Sequence, residues 1–416
     1  MAAAAQQLKR QVGLFGALML GLGSMVGTGI FFVSWQVATE MGVWIFPVIL
    51  AAGLLALCNG LSSAQLAANF PVSGGTYEYG CRLLSPFAGF AAGWAFLLAK
   101  SASAAAACVV AGQLLGRLLE IDLNAPYANL RMAVLIWLSL TVAVLFGLRR
   151  TQILNTTIVV CSTAAIFAEW ILVAMDSSFG MQLETAPATG TPIWAAVPGA
   201  IALIFVGFTG YGRVATLGEE ILDPRRNIPK AVMLTVAAAG LLYALVPLAV
   251  SGREPSIFFQ AGAIIALCGI VLNLLLGLSR MLLAMSRRQD MPAGFARLNR
   301  SGEPNRAIIG VALLIGAFMP VSQLGALTEN IWAFSAFTVL VYYGFANLCA
   351  LRLTKAQRLY PPAIAIAGLA GCVGLLPFIQ WPVILASLAI LALGFALRAA
   401  LQSGQPASDS ESPNDA

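Results

Sequence analysis

Residues 21–32 read GLGSMVGTGIFF and lie within an apolar run long enough to cross a bilayer. Gly21, Gly23, Gly27 and Gly29 each cost a helix interior about 1 kcal/mol relative to alanine. In lipid, every backbone amide and carbonyl also needs a partner inside the protein. A run that weakens the helix where the solvent demands one is expected where the helix is interrupted and lines a cavity. The interruption leaves two half-helix ends. Free amides attract an anion at one, and free carbonyls attract a cation at the other.

That the surroundings are lipid follows from composition. Of the 416 residues, 60% are hydrophobic and 10% charged, against about 25% charged in soluble domains. A chain this apolar cannot hide its surface in one water-facing core. The seven cysteines are scattered without a CxxC pair, and histidine is absent, which argues against a disulfide framework and the common zinc sites. The net charge of +6 does not signal nucleic acid, because the basic residues sit in short loops between apolar runs. No small-residue cleavage site follows the first run, so no removable signal peptide is expected.

Taking about 20 apolar residues per crossing, the chain divides into spans at 13–35, 43–69, 87–117, 131–148, 153–175, 195–219, 229–251, 261–286, 305–322, 327–353, 360–379 and 382–401. With the N-terminus in the cytoplasm, 17 Lys and Arg fall on the inner side and 3 (Arg117, Arg131 and Arg253) on the outer, as the positive-inside rule requires. Lys100, Arg213 and Arg280 fall within spans. The expectation is an all-α, multi-pass protein of a plasma membrane, of the bacterial inner-membrane kind, with about 12 transmembrane helices and both termini cytoplasmic. Residues 1–12 form a cytoplasmic segment, 13–401 the transmembrane domain, and 402–416, QSGQPASDSESPNDA, a disordered tail.

The sixth span repeats the opening device. Residues 204–220 read IFVGFTGYGRVATLGEE, with Gly207, Gly210 and Gly212. Either cluster alone reads as close helix packing. Together, at matching positions of 13–175 and 195–353, they describe a five-plus-five inverted repeat with helices 1 and 6 broken at midspan. Residues 360–401 are then two accessory helices. Half-helix ends of opposite polarity suit an amino acid zwitterion.

Four stretches carry a resemblance: GSMVGTGIFF at 23–32, FPVSGGTYEYGCRLLSPFAGFAAGW at 70–94, GEEILDPRRNIPKA at 218–231 and LSRMLLAMSRRQDMPAGFARLN at 278–299. In order and spacing they resemble the signatures of the amino acid–polyamine–organocation (APC) superfamily of permeases, over about residues 13–354. The resemblance implies secondary transport of an amino acid across the bilayer by alternating access, with no cofactor. It implies that Gly27, Thr28 and Gly29 offer amides to the substrate carboxylate, that carbonyls of Met25, Val206 and Thr209 face its ammonium, and that Phe208 closes over the site. The half-helix dipole agrees with the first set and does not choose among the carbonyls.

Charged residues inside spans are the remaining candidates, since a charge at midspan costs about 2.5–3.5 kcal/mol or more. Lys100, in GWAFLLAKSASAAAACVV, has two readings: a lysine bound by carbonyls of a broken neighbour, or a proton carrier or fixed cation in place of sodium. Some relatives use a fifth-helix lysine for that purpose, and the fifth span here has none. Arg213 is expected to pair with Glu219 or Glu220 as an inner latch, the alternative being contact with an anionic substrate. Arg280 is expected to be structural or gating. Glu169 is expected at the interface, Glu78 and Arg82 as a local pair, and Tyr77, Trp94 and Trp332 as packing or interfacial aromatics.

There is no G-x-x-x-x-G-K-S/T loop for ATP. An integral-membrane enzyme would need a catalytic constellation, and neither histidine nor a midspan carboxylate pair supplies one. A sensor or scaffold that keeps the permease fold is the other alternative. The expected substrate is a neutral amino acid, with acidic ones open if Arg213 faces inward. Sodium sites in this architecture use first-helix carbonyls and eighth-helix oxygens, here Ser279. A lysine reaching that space would repel sodium, so transport is expected to be sodium-independent, by proton coupling or exchange. The sequence assigns no oligomeric state.

Overall fold

The structure, a computed structural model, describes residues 8–27, 29–121, 127–175, 192–250, 255–322 and 326–403. Among these residues the regular structure is helical, and extended backbone pairs only as isolated bridges, Val12 with Ile221 and Ser73 with Leu217. The helices run in order α1 (Leu14–Met25), α2 (Ser34–Met41), α3 (Ile45–Asn69), α4 (Thr76–Leu83), α5 (Pro86–Leu118), α6 (Ala128–Leu145), α7 (Leu148–Met175) and α8 (Ile193–Phe208). They continue as α9 (Gly212–Thr216), α10 (Pro224–Val250), α11 (Ile257–Arg287), α12 (Asn305–Ser322), α13 (Ala326–Leu351), α14 (Pro362–Leu375) and α15 (Trp381–Ser403). Nine helical stretches among the described residues are long and apolar enough to cross a membrane, and three shorter apolar helices, beginning at Leu14, Asn305 and Pro362, accompany them.

Every expected span meets a helix. The first extends past 35 to Met41, and the seventh begins at Pro224, ahead of the expected 229. In both places the helix outruns its apolar stretch. Pro224 suits a first helical position, where the missing amide has no intrahelical acceptor to lose, and Arg225 and Arg226 ride on the overhang. The last helix runs to Ser403, two residues into the expected tail, whose remainder lies outside the described residues.

Helices α5 and α11 form the buried centre, while α6 and α15 keep most of their apolar surface outward. Composition explains α5: Ser101–Ala107 are all Ala or Ser and all buried, and such a thin helix lets α11, α12 and α13 approach closely. Its start is fixed by Ser85, whose hydroxyl accepts from the Ala88 amide at 3.1 Å, with Pro86 following. Trp94 stacks on Phe90 and donates to the Ile390 carbonyl at 2.9 Å, a packing aromatic. The Trp332 side chain lies outside the described residues.

The Gly-Gly-x-Tyr motif has a steric basis. Gly74 and Gly75 turn the chain at φ +103° and +53°. A Cβ on Gly74 would lie 2.6 Å from Ala284 of α11, and one on Gly75 2.7 Å from the Tyr342 hydroxyl of α13. Tyr77 then packs against Gly93 of α5, where a Cβ would lie 2.8 Å from its ring.

Glu169, expected at the interface, is fully buried within the protein in α7, and it accepts from both the amide and the hydroxyl of Ser256, the N-cap of α11. A helix start away from water needs an acceptor for its orphan donors, and this buried carboxylate supplies one.

Candidate functional site

The opening glycine run does interrupt the helix. At Val26 the backbone leaves α1 with ψ +90° while its amide still donates to Leu22 at 2.6 Å. Helix resumes as a π turn, Gly29–Val33, running into α2. Thr28 lies outside the described residues. Gly27 packs beneath Ile270 of α11.

The second run behaves differently, and the expected midspan break of the sixth helix is corrected. Between α8 and α9 the chain stays right-handed and helical, tightening to a 3-10 turn over Thr209–Tyr211. Its glycines serve close approach. A Cβ on Gly207 would lie 3.0 Å from the Gly29 Cα, and one on Gly210 2.7 Å from the Ser24 carbonyl carbon. The two runs are faces of one contact, where the break in the first helix rests on the sixth. Tightening also engages the expected carbonyls. Val206 O accepts from both the amide and the hydroxyl of Thr209, the latter at 2.6 Å. Thr209 O accepts from the Gly212 amide and, at 3.1 Å, from the Tyr343 hydroxyl.

Beside this contact is a cavity of about 50 Å3. Of the expected residues, Met25, Gly29, Val206, Thr209, Lys100 and Arg213 line it. Gly27 does not, and neither does Phe208, which turns away to stack on Tyr243 with ring centroids 4.5 Å apart. The aromatic at the cavity is Phe96 of α5, which the sequence did not single out. It lies one helical turn before Lys100, the (i, i+4) spacing that puts two side chains on one face. Ser24, Ser103, Gly207, Gly210, Ile270 and Leu274 complete the wall.

Both basic side chains face inward. Lys100, 8% exposed, donates to the Ser335 hydroxyl of α13 at 3.2 Å. Arg213, 5% exposed, sets its guanidinium 5.7 Å over the Phe96 ring, against Gly277 of α11. Its Nη1 has no hydrogen-bond partner among the described residues. The latch expected between Arg213 and Glu219 or Glu220 is therefore corrected, because those carboxylates are taken by α11.

Glu220 and Glu303 accept from the fully buried Arg280 at 2.8 and 3.1 Å. Glu219 accepts from Arg287 at 3.0 Å, from the Ser73 hydroxyl at 2.6 Å and from the Leu8 amide at 2.9 Å. Arg280 thus lies away from the cavity at the centre of an ion-paired cluster. The chain before α1 is strapped onto the same region: Gln11 and Val12 amides donate to Glu220 O at 2.9 and 3.0 Å, and the Leu222 amide to Val12 O at 2.8 Å. Alongside, Glu78 pairs with Arg82 at 2.7 Å, as expected, and also with Arg288 at 2.6 Å. Asp290 joins the Tyr77 hydroxyl at 2.6 Å to Arg398 at 2.7 Å. Tyr77 is thus a buried hydrogen-bond donor besides a packing residue. Burial by itself would raise the Glu78 carboxyl, but hydrogen bonds and charge from Arg288 and then Arg82 outweigh it and hold it below the usual carboxylate range.

Comparison with known proteins agrees with this architecture. The amino acid permease family model matches residues 16–253 and 255–412. An uncharacterized transporter of Mycobacterium tuberculosis is 33% identical over 415 residues, covering 94% of this chain and 91% of the relative. A branched-chain amino acid permease of Bacillus subtilis is 24% identical, covering 87% and 85%. A methylthioribose transporter of the same organism is 26% identical, covering 80% of each. A glycine-interrupted first helix, a tightened sixth helix against it and a full-length match meet in one conclusion: the chain belongs to the amino acid permease family of the APC superfamily.

Proposed function

We propose that the protein is a secondary transporter that moves an amino acid across a plasma membrane by alternating access, in twelve crossings arranged as the five-plus-five repeat, with both termini cytoplasmic. The observation that carries this reading is the cavity at the first-helix break, where the helix that resumes at Gly29 meets the end of α1 at Met25. Resumption at Gly29 offers amides to a carboxylate, and the end of α1 offers carbonyls to an ammonium. The membrane setting and the family support the same reading.

Sodium independence, by proton coupling or exchange, is part of the proposal. Ser279, the eighth-helix oxygen expected to face sodium, donates to Leu276 O at 2.8 Å and accepts from Arg280 at 3.2 Å. A guanidinium against that hydroxyl disfavours a second cation there. Lys100 is the candidate proton carrier; its bond to the Ser335 hydroxyl of α13 stands in place of the expected carbonyls of a broken neighbour, and a structural role through α13 is the alternative.

The test is uptake of radiolabelled amino acids by proteoliposomes holding the purified chain, with choline replacing sodium and then across a pH gradient. Uptake that persists in choline is expected, and its loss rejects sodium independence. If uptake by Lys100→Ala keeps the wild-type pH response, Lys100 is structural. A chain that binds amino acids but moves none is a sensor or scaffold.

A further inference from the structure

The relatives' named cargoes, a branched-chain amino acid in one and methylthioribose in another, do not dictate what this cavity takes. Its own charges do. Arg213 and Lys100 both line it, and no aspartate or glutamate lines it among the described residues. Arginine does not shed its proton in proteins, so the cavity holds a permanent cation beside a second basic group.

Among the described residues, neither forms an ion pair with a carboxylate. The nearby carboxylates Glu219 and Glu220 are bound to Arg287 and Arg280. The Arg213 side chain, more than nine-tenths buried, keeps Nη1 without a partner among the described residues. A lysine ammonium has three donors, and one hydrogen bond, to Ser335, accounts for one of them. The guanidinium is held by packing instead, between the Phe96 face and Gly277, where any side chain would collide with it. This is a built slot that holds an arginine in the cavity wall, with the unpartnered Nη1 on the Gly277 side.

The amides of the helix that resumes at Gly29 are a second anion-binding element. A neutral amino acid has one carboxylate for two such elements. If it binds at Gly29, the guanidinium stays unpaired and buried; if it binds Arg213, the half-helix amides go unanswered. A cationic amino acid adds a further positive charge beside the guanidinium. We propose that the cavity selects an amino acid carrying a second carboxylate, with the α-carboxylate on the Gly29 side and the side-chain carboxylate on Arg213 and Lys100. This rests on reading the chain as an amino acid transporter, and it replaces the neutral substrate that the sequence favours, since the condition for an acidic one, Arg213 facing inward, is met.

The test uses full-length protein in proteoliposomes with radiolabelled L-glutamate and L-aspartate as probes, and L-alanine, L-leucine and L-arginine as competitors. Saturable uptake of one of the acidic probes is expected. The other three should inhibit roughly tenfold or more weakly, the margin of one charge-assisted hydrogen-bond set. Arg213→Gln, with folding checked by its melting curve, should raise the half-saturation for glutamate roughly tenfold and bring alanine level with it. Arg213→Lys should recover part of the loss. Should these variants fail to fold, the wild-type inhibition order decides alone. Alanine or leucine uptake that excess glutamate does not inhibit overturns the acidic assignment and leaves the transporter reading standing. Neither uptake nor thermal stabilisation by any of the twenty amino acids overturns both.

Discussion

Gly277 lies where a methyl group would come within 2.8 Å of the Arg213 Cζ. Gly277→Ala should therefore displace the guanidinium without removing its charge. Half-saturation for the glutamate probe should rise several-fold while the protein still folds; an unchanged value would show that the position of Arg213 is immaterial. Gly29→Ala is more severe, because the added carbon meets backbone, 2.8 Å from the Gly207 Cα, which cannot swing aside as a side chain can. That variant should insert and fold yet lose the melting shift produced by substrate, and wild-type affinity in it would reject the Gly29 contact. The inward heading of Arg213 was not legible in sequence. Glu220 stands seven residues on, two turns along a continuous helix and on the same face. The helix ends at Thr216 instead, which carries both carboxylates past the helix face and into the reach of α11.

At the scale of elements, the two glycine runs show what patterning can and cannot distinguish. Glycine admits a break and close backbone approach equally well. The first run does both, whereas the second gives only the close approach and a 3-10 turn. Their mutual contact lies between residues far apart in the chain, and no local pattern reports it. The Arg280 cluster is a similar case, because it needs α11, the turn after α9 and the loop before α12 at once. Arg280→Met should leave two carboxylates without their cation in a buried site, a loss of about 3–5 kcal/mol. The melting temperature in detergent should fall, and adding Glu220→Gln should restore part of it; no recovery in the double variant would show that packing, not charge, sets the loss. Glu78 gives a pH test. Its folded carboxyl is held below the ordinary value of 4.5, so the unfolded chain binds the proton more readily. Stability from its arginine pairs is complete above that value and is lost as pH falls through the lower, folded one. Melting temperature should drop on acidification below about pH 4.5, and Glu78→Gln should flatten that slope.

Across the whole molecule, the positions of the membrane-crossing helices were legible because lipid imposes long apolar runs separated by charged loops. Which helices become the centre was only hinted at. The Ala and Ser run of α5 marks a thin helix, but its companion α11 is as apolar as its neighbours, and its burial follows from assembly alone. The cavity was half legible. Backbone contributors came from the glycine run and the resemblance. Phe96 and the glycine slot at 277 belong to α5 and α11 and are tied to the site by packing.

The backbone pairing of Gln11 and Val12 with Glu220 and Leu222 joins the feet of α1 and α9 by main-chain bonds that no side-chain rotation can release. Under the proposed alternating-access cycle these feet should travel as one lever, and a doorway at that end should form along the lever's outer margin rather than through its middle. The contacts lying on that margin, Glu219 with Arg287 and with Ser73, are side-chain bonds that rotamer changes can undo. Welding the lever further should accordingly cost nothing. A cysteine pair replacing Val12 and Ile221, which face each other across the bridge, should transport as well crosslinked as reduced in a background without the native cysteines. Transport abolished by that crosslink would mean the doorway opens between the two feet.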